Sequence, residues 1–120
     1  MTRLDPKYAW SNKGVVLFSQ GKYDSAINAF DEALRLDPNL ADTWYNKGNA
    51  LKTLGKYDES IKAYDEAIRL DPEDADTRYA KGLALKKLGK YDEAIKCFDE
   101  AIKLDPNLAT TWNLTKTLFL

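Results

Sequence analysis

The sequence predicts an all-α fold built from stacked helix pairs, and three recurring strings predict it. GKYD begins at Gly21, Gly55 and Gly89; KG begins at Lys13, Lys47 and Lys81; LDP begins at Leu36, Leu70 and Leu104. Each string recurs at a fixed spacing of 34 residues. A period of that size marks supersecondary units that cannot bury their apolar faces alone and stack to share one core. Function then belongs to a surface made by the stack rather than to a pocket of catalytic side chains.

The elements follow in order from one unit, residues 41–74. Trp44, Gly48, Leu51 and Leu54 recur at helical spacing and give a first helix near 41–54. Gly55 offers the left-handed conformation that ends it. Asp58 then reads as the cap of a second helix near 58–70, with Glu59 beside it favouring the positive helix start. Ile61, Tyr64, Ala67, Ile68 and Leu70 make its apolar face. Pro72 cannot continue that helix and biases Asp71 away from helical geometry. The same signs predict helices near 7–20 and 24–36, and near 75–88 and 92–104; a seventh is expected near 109–119. The chain thus reads as one domain, 1–120, with units at 7–40, 41–74 and 75–108 and a terminal helix at 109–120. Gly14, Gly48 and Gly82 lie inside first helices, where glycine costs about 1 kcal/mol relative to alanine. A cost repeated in every unit implies close helix approach, as do the small residues Ala26, Ser60 and Ala94 in the second helices.

Composition excludes several functions. The formal net charge is -1, and no unit is strongly basic, which argues against nucleic-acid and anionic-membrane partners. The N-terminus MTRLDPKYAW has no apolar core of a signal peptide, and no run is long enough to span a membrane. Cys97 is the only cysteine, which suits a reducing cytoplasm and reads as a packed helical thiol. Histidine is absent, removing the commonest general base and metal ligand. No cofactor or metal is expected. The acidic pairs Asp31–Glu32, Asp65–Glu66 and Asp99–Glu100 recur once per unit and read as scaffold, a solvated face with i,i+4 pairs such as Asp65–Arg69.

The units resemble the tetratricopeptide repeat, whose pattern runs Trp, Leu-Gly, Tyr, then Ala, Phe and Pro within its repeat. The Trp place holds Trp10, Trp44, Arg78 and Trp112; the Gly place Gly14, Gly48 and Gly82; the second-helix aromatic Phe30, Tyr64 and Phe98; the Pro place Pro38, Pro72 and Pro106. The departures are Arg78 for Trp, Lys13, Lys47 and Lys81 for Leu, and Leu17, Leu51 and Leu85 for Tyr. The lysines are expected to bury their stems at a helix seam while the ammonium reaches water. The resemblance implies a right-handed α-solenoid whose first helices line a concave groove that binds an extended or helical peptide.

On a helical projection, Trp44, Lys47, Gly48 and Leu51 face the second helices, which leaves Asp42, Tyr45, Asn46, Asn49 and Lys52 on the other side. The same positions are Tyr8, Asn12, Val15 and Phe18 in the first unit and Asp76, Tyr79, Leu83 and Lys86 in the third. These are the candidate groove residues. The aromatic ones offer large contact area at low entropic cost, and the asparagines both donate and accept. Some family members clamp the C-terminal carboxylate of chaperone tails with basic residues and asparagines. The matching places here hold Ser11, Val15, Asn46, Asp76 and Ala80, or, one unit later, Tyr45, Asn49, Ala80, Thr110 and Leu114. Neither set supplies the cations, so that specialisation is not expected.

The expected function is non-catalytic binding of a protein or peptide, with no enzymatic activity. The alternative is a self-assembling piece. In the terminal helix ATTWNLTKTLFL, Trp112 and Phe119 match core-facing places, while Leu114, Leu118 and Leu120 add apolar surface suited to a homo-oligomer contact.

Overall fold

A computed structural model describes residues 5–108. It contains six helices: α1 (Pro6–Ser19), α2 (Tyr23–Leu36), α3 (Ala41–Thr53), α4 (Tyr57–Leu70), α5 (Ala75–Lys87) and α6 (Tyr91–Leu104). The described residues are helices and tight turns alone, in the expected order and with boundaries within one residue of the sequence reading. The expected seventh helix, with Leu114, Leu118 and Leu120, lies outside the described residues.

Each helix pair is closed by the same turn. In the second unit Gly55 takes φ +79°, a conformation costly for any residue with a Cβ. Its N–H reaches the Lys52 carbonyl, and the Lys56 N–H reaches back to the Leu51 carbonyl, both at 2.9 Å. These two bonds satisfy carbonyls that the helix end would leave orphaned. Lys56 is also the N-cap of α4, its carbonyl accepting from the Ser60 N–H at 2.9 Å. One residue therefore ends one helix and starts the next.

That economy corrects the expected aspartate caps. Asp24, Asp58 and Asp92 lie within the first turns of α2, α4 and α6, whose N-caps are Lys22, Lys56 and Lys90 without side-chain capping bonds. The turn leaves no residue free to cap, so the aspartates act through charge at the positive helix end. Side-chain caps occur ahead of α1 and α5: Asp5 accepts from the Lys7 N–H, and Asp74 from the Asp76 N–H. At the other end of α2, Asp37 is extended ahead of Pro38 (φ -149°), and its carboxylate accepts from the Asn39 N–H at 3.0 Å.

The core is made of small residues interlocked with one aromatic per unit. Ala26, Phe30, Ala33, Ala50, Tyr64, Ala84 and Ala101 are fully buried. A Cβ on Gly48 would stand 2.5 Å from the Tyr64 ring, and one on Gly82 would stand 2.6 Å from the Phe98 ring; Gly14 meets Phe30 in the same way. The glycines are notches in the first helices into which the second-helix aromatics fit. At Ser60, where the other units have alanine, the hydroxyl donates to the Gly48 carbonyl at 2.8 Å, so the buried polar atom is satisfied.

Between units the contacts are ionic as well as apolar. The Lys47 ammonium lies 2.7 Å from Asp31 and over the Trp44 ring, and that of Lys81 lies 2.7 Å from Asp65. The stems of Lys47 and Lys81 are half-buried, as expected, and their heads pair across the seam instead of ending in water; Lys13 departs from the expectation, being exposed with its ammonium over the Trp10 ring. The expected Asp65–Arg69 pair is not formed. Asp65 belongs to Lys81, and Arg69 pairs with Glu66 at 2.9 Å. The aspartate points across the seam toward the next unit, out of reach of its own helix's arginine.

Candidate functional site

The first helices touch one another and the second helices do not: α1 contacts α3 and α3 contacts α5, whereas α2, α4 and α6 meet only first helices. The first helices are therefore the crowded inner side of the curve, and their faces turned from the second helices line its concavity.

Most candidate residues on that face fall into two groups. Tyr8, Asn12, Val15, Asp42 and Asn46 border one open recess between α1 and α3, together with Ser11, Thr43 and the linker residues Asn39 and Asp71. Val15, Phe18, Asn46 and Asn49 also share a narrow cleft floored by Phe30. Tyr8, Asn12, Val15, Asp42, Asp76 and Lys86 are exposed. The side chains of Asn12, Asp42, Asn46, Asp76 and Lys86 carry no hydrogen bond or ion pair among the described residues.

The aromatic candidates are held more tightly. Tyr45 packs on Tyr64 with ring centroids 6.0 Å apart, Tyr79 on Phe98 at 5.4 Å, and Phe18 edge-on to Tyr23 at 5.2 Å. All three are half-buried, so each offers only part of its ring to the concave side. Tyr64 passes beneath α3 through the Gly48 notch, and its hydroxyl reaches the Asn49 side-chain oxygen. Burial pushes the Tyr64 phenol above its ordinary range, so it remains a neutral donor. Asn49 thus spends its oxygen on the scaffold and keeps its amide donors. Leu83 is half-buried beside Ala80 and Ala84.

Lys52 differs from the seam lysines. Its ammonium sits over the Tyr64 ring, 5.9 Å from the centroid, with no carboxylate partner among the described residues. Burial lowers its pKa, the direction expected of a cation that loses water without gaining a counter-ion. Lys81 shows the contrast: burial pulls its ammonium down, but the hydrogen bond and charge of Asp65 outweigh that and leave it raised.

Several contributors were not legible in advance. Thr43, buried between α1 and α3, has its hydroxyl 2.9 Å from that of Ser11. Thr77 donates to the Asp74 carboxylate at 2.9 Å. Asn39 and Asp71 reach the recess from linkers, and the helical projection covers helices only. Arg78 is explained by geometry. Trp44 Nε1 donates to the Pro38 carbonyl at 2.8 Å, and Arg78 donates to the equivalent Pro72 carbonyl, through Nη2 at 3.1 Å. The arginine keeps the tryptophan's bond to the linker and adds a 2.6 Å pair with Glu100.

Among the described residues no group of acidic or cysteine side chains could hold a metal ion, and no helix is long and apolar enough to cross a membrane. Cys97 is buried, and burial raises its thiol pKa, as expected of a packed thiol.

Comparison with known proteins gives one consistent answer. The "Tetratricopeptide repeat" profile matches residues 45–109, and a second profile described as "TPR repeat" matches 14–55. No curated protein matches the chain. Among solved structures, MamA superposes with a TM-score of 0.81 at 29% identity, over 87% of this chain and 61% of that one. The chain thus spans about three fifths of MamA's length. The second TPR of Spaghetti (RPAP3), bound to the HSP90 peptide SRMEEVD, superposes with a TM-score of 0.81 at 28% identity, covering 84% of this chain and 94% of that one. The first TPR of the same protein, at 24% identity and TM-score 0.84, matches in fold.

Proposed function

We propose, since this chain belongs to the tetratricopeptide repeat family, that it works as a non-catalytic interaction module holding a segment of a partner protein in the concavity formed by α1, α3 and α5. One observation carries the reading: Asn12, Asp42 and Asn46, whose side chains have no partner among the described residues, border one open recess between α1 and α3 together with the exposed Tyr8 and Val15. Asn12, Asn46 and the amide of Asn49 offer the donors and acceptors that an extended backbone needs, and Val15, Leu83 and the ring edges of Tyr45 and Tyr79 offer apolar contact between them.

The complex of the second RPAP3 domain with an acidic peptide supports the general mode. It does not carry over the ligand, because the clamp places in this chain hold Ser11, Val15, Asp76 and Ala80 around Asn46. Three units present limited area, and the affinity expected is about micromolar, or about -8 kcal/mol. Selection of binders from a random-peptide phage library on the immobilised chain tests the proposal. Enriched peptides should lose affinity with Asn46→Ala or Val15→Asp while the variants keep their helix content. Peptides that bind these variants normally but lose binding to a changed outer face would contradict it.

A further inference from the structure

Resting on the groove reading above, we propose that the groove is charge-polarised across its width and takes an extended segment whose successive side chains alternate between basic and acidic. The observation is the order of charges along the first helices. Asp42 and Asp76 stand in the first turns of α3 and α5, on one rim, and the recess beside Asp42 also collects Asp71. Lys52 and Lys86 stand in the last turns of the same two helices, on the other rim. Between the rims the floor is uncharged: Asn46 and Asn49 on α3, Leu83 on α5. Ten residues separate Asp42 from Lys52 and Asp76 from Lys86, so the rims lie about 15 Å apart at 1.5 Å per helical residue.

Opposite charges at the two ends of a helix also complement its dipole. Two features go beyond that. On the outer face three cations of the first helices are paired, Lys47 with Asp31 and Lys81 with Asp65 across the seams and Arg78 with Glu100 within its own unit, whereas Asp42, Asp76, Lys52 and Lys86 have no ionic partner among the described residues. Moreover, Lys52 is drawn half out of water onto the Tyr64 ring, where a partner's carboxylate would replace the lost hydration. On the opposite rim, Asp42 and Asp71 border one recess, and their two carboxylates fit a lysine or arginine side chain; the Tyr8 ring in the same recess already carries Lys7, 5.1 Å from its centroid.

A partner crossing α1, α3 and α5 runs roughly at right angles to the helix axes. In an extended chain successive side chains point to opposite sides. One row then meets the aspartate rim and the other the lysine rim. Long side chains in each row bring their charges to rims about 15 Å apart. A blocked sequence, with all cations followed by all anions, sends half of each charge to the wrong rim.

The test uses peptides enriched from a random-peptide phage library, measured by fluorescence anisotropy at low and high salt against the unaltered chain and three variants. These are Asp42→Lys/Asp76→Lys, Lys52→Glu/Lys86→Glu and the fourfold combination. Enriched sequences should show cation–anion alternation at neighbouring positions. Either rim reversal should weaken them at least tenfold at low salt, with the difference shrinking at high salt. The fourfold variant should prefer the same peptides with cations and anions exchanged. If enriched peptides lack the alternation, or lose affinity with Asn46→Ala but bind both rim reversals normally, the polarity is only a helix-dipole feature; the inference falls and the groove reading stands. If nothing is enriched over a blank surface, the groove reading falls, and this inference with it.

Discussion

The two faces of α3 and α5 differ in how their polar side chains are held. On the outer face three cations have specific partners. Lys47 is answered by Asp31 and Trp44, Lys81 by Asp65, and Arg78 by Glu100 and the Pro72 carbonyl. On the inner face Asn12, Asp42, Asn46, Asp76 and Lys86 are left without partners among the described residues, and Lys52 has only an aromatic ring. Repetition explains the seam pairs, because a contact that must recur at each seam is specified by residues in register. The unmatched inner side chains are those that the proposed function assigns to a partner. On that proposal stability and binding belong to different sides of one helix, so substitutions should separate them.

The largest effect is expected where both faces depend on one residue. Tyr64 is fully buried, fills the Gly48 notch and bonds Asn49 on the inner side. Tyr64→Ala should cost about 3–5 kcal/mol in chemical denaturation, in line with other buried aromatic truncations. A loss below about 1 kcal/mol would mean that the notch is not the centre of the unit. Gly48→Ala comes next. Alanine favours a helix by about 1 kcal/mol, yet its methyl would stand 2.5 Å from the Tyr64 ring. Overpacking should win, with a net loss of about 1–3 kcal/mol; a rise in stability would contradict the close approach.

Lys47→Leu tests the seam. The substitution adds apolar contact and removes a partly exposed ion pair worth about 0.2–1 kcal/mol, so the net change should stay within about 1 kcal/mol. Pairing it with Asp31→Ala in a double-mutant cycle isolates the coupling between the two, which should be favourable; zero coupling would make the pair incidental.

How much of this was readable in advance depends on what repeats. The helices, the Gly55 turn and the Gly48 notch each leave a period-34 mark, and the sequence carried them to within a residue. The aspartate caps were misread because composition places Asp58 at a helix start but does not reveal that Lys56 serves two helices at once. The partner of Asp65 was misread because helical spacing pairs it with Arg69, whereas the seam brings Lys81 closer. On the inner face the projection found the residues but not their burial. Tyr45 and Tyr79 lean on aromatics from the following helix, and only packing shows that.

The smallest effect concerns pH. The backbone N–H of Asn39, together with Lys7 at 2.9 Å, holds the Asp37 carboxyl below its usual range. A carboxyl depressed in the folded state contributes stability above its unfolded pKa of about 4 and loses it as pH falls through the folded value. The melting temperature should therefore drop slightly on acidification below about pH 4, and Asp37→Asn should flatten that drop. Lys7, raised chiefly by its hydrogen bond to Asp37, gives the opposite sign: its contribution is full below the ordinary lysine range and fades as pH rises through the folded value. An identical acid profile for Asp37→Asn would remove this contact from the account.

The separation of the two faces is tested most directly by titrating the isotope-labelled chain with a library-selected peptide and following its amide resonances. Shifts should concentrate on the inner positions of α1, α3 and α5, with Asn12, Asp42, Asn46 and Lys52 among the most affected and the Lys47–Asp31 seam little changed. Shifts centred on the outer recess beside Trp44 and Lys47, with the inner face silent, would contradict it.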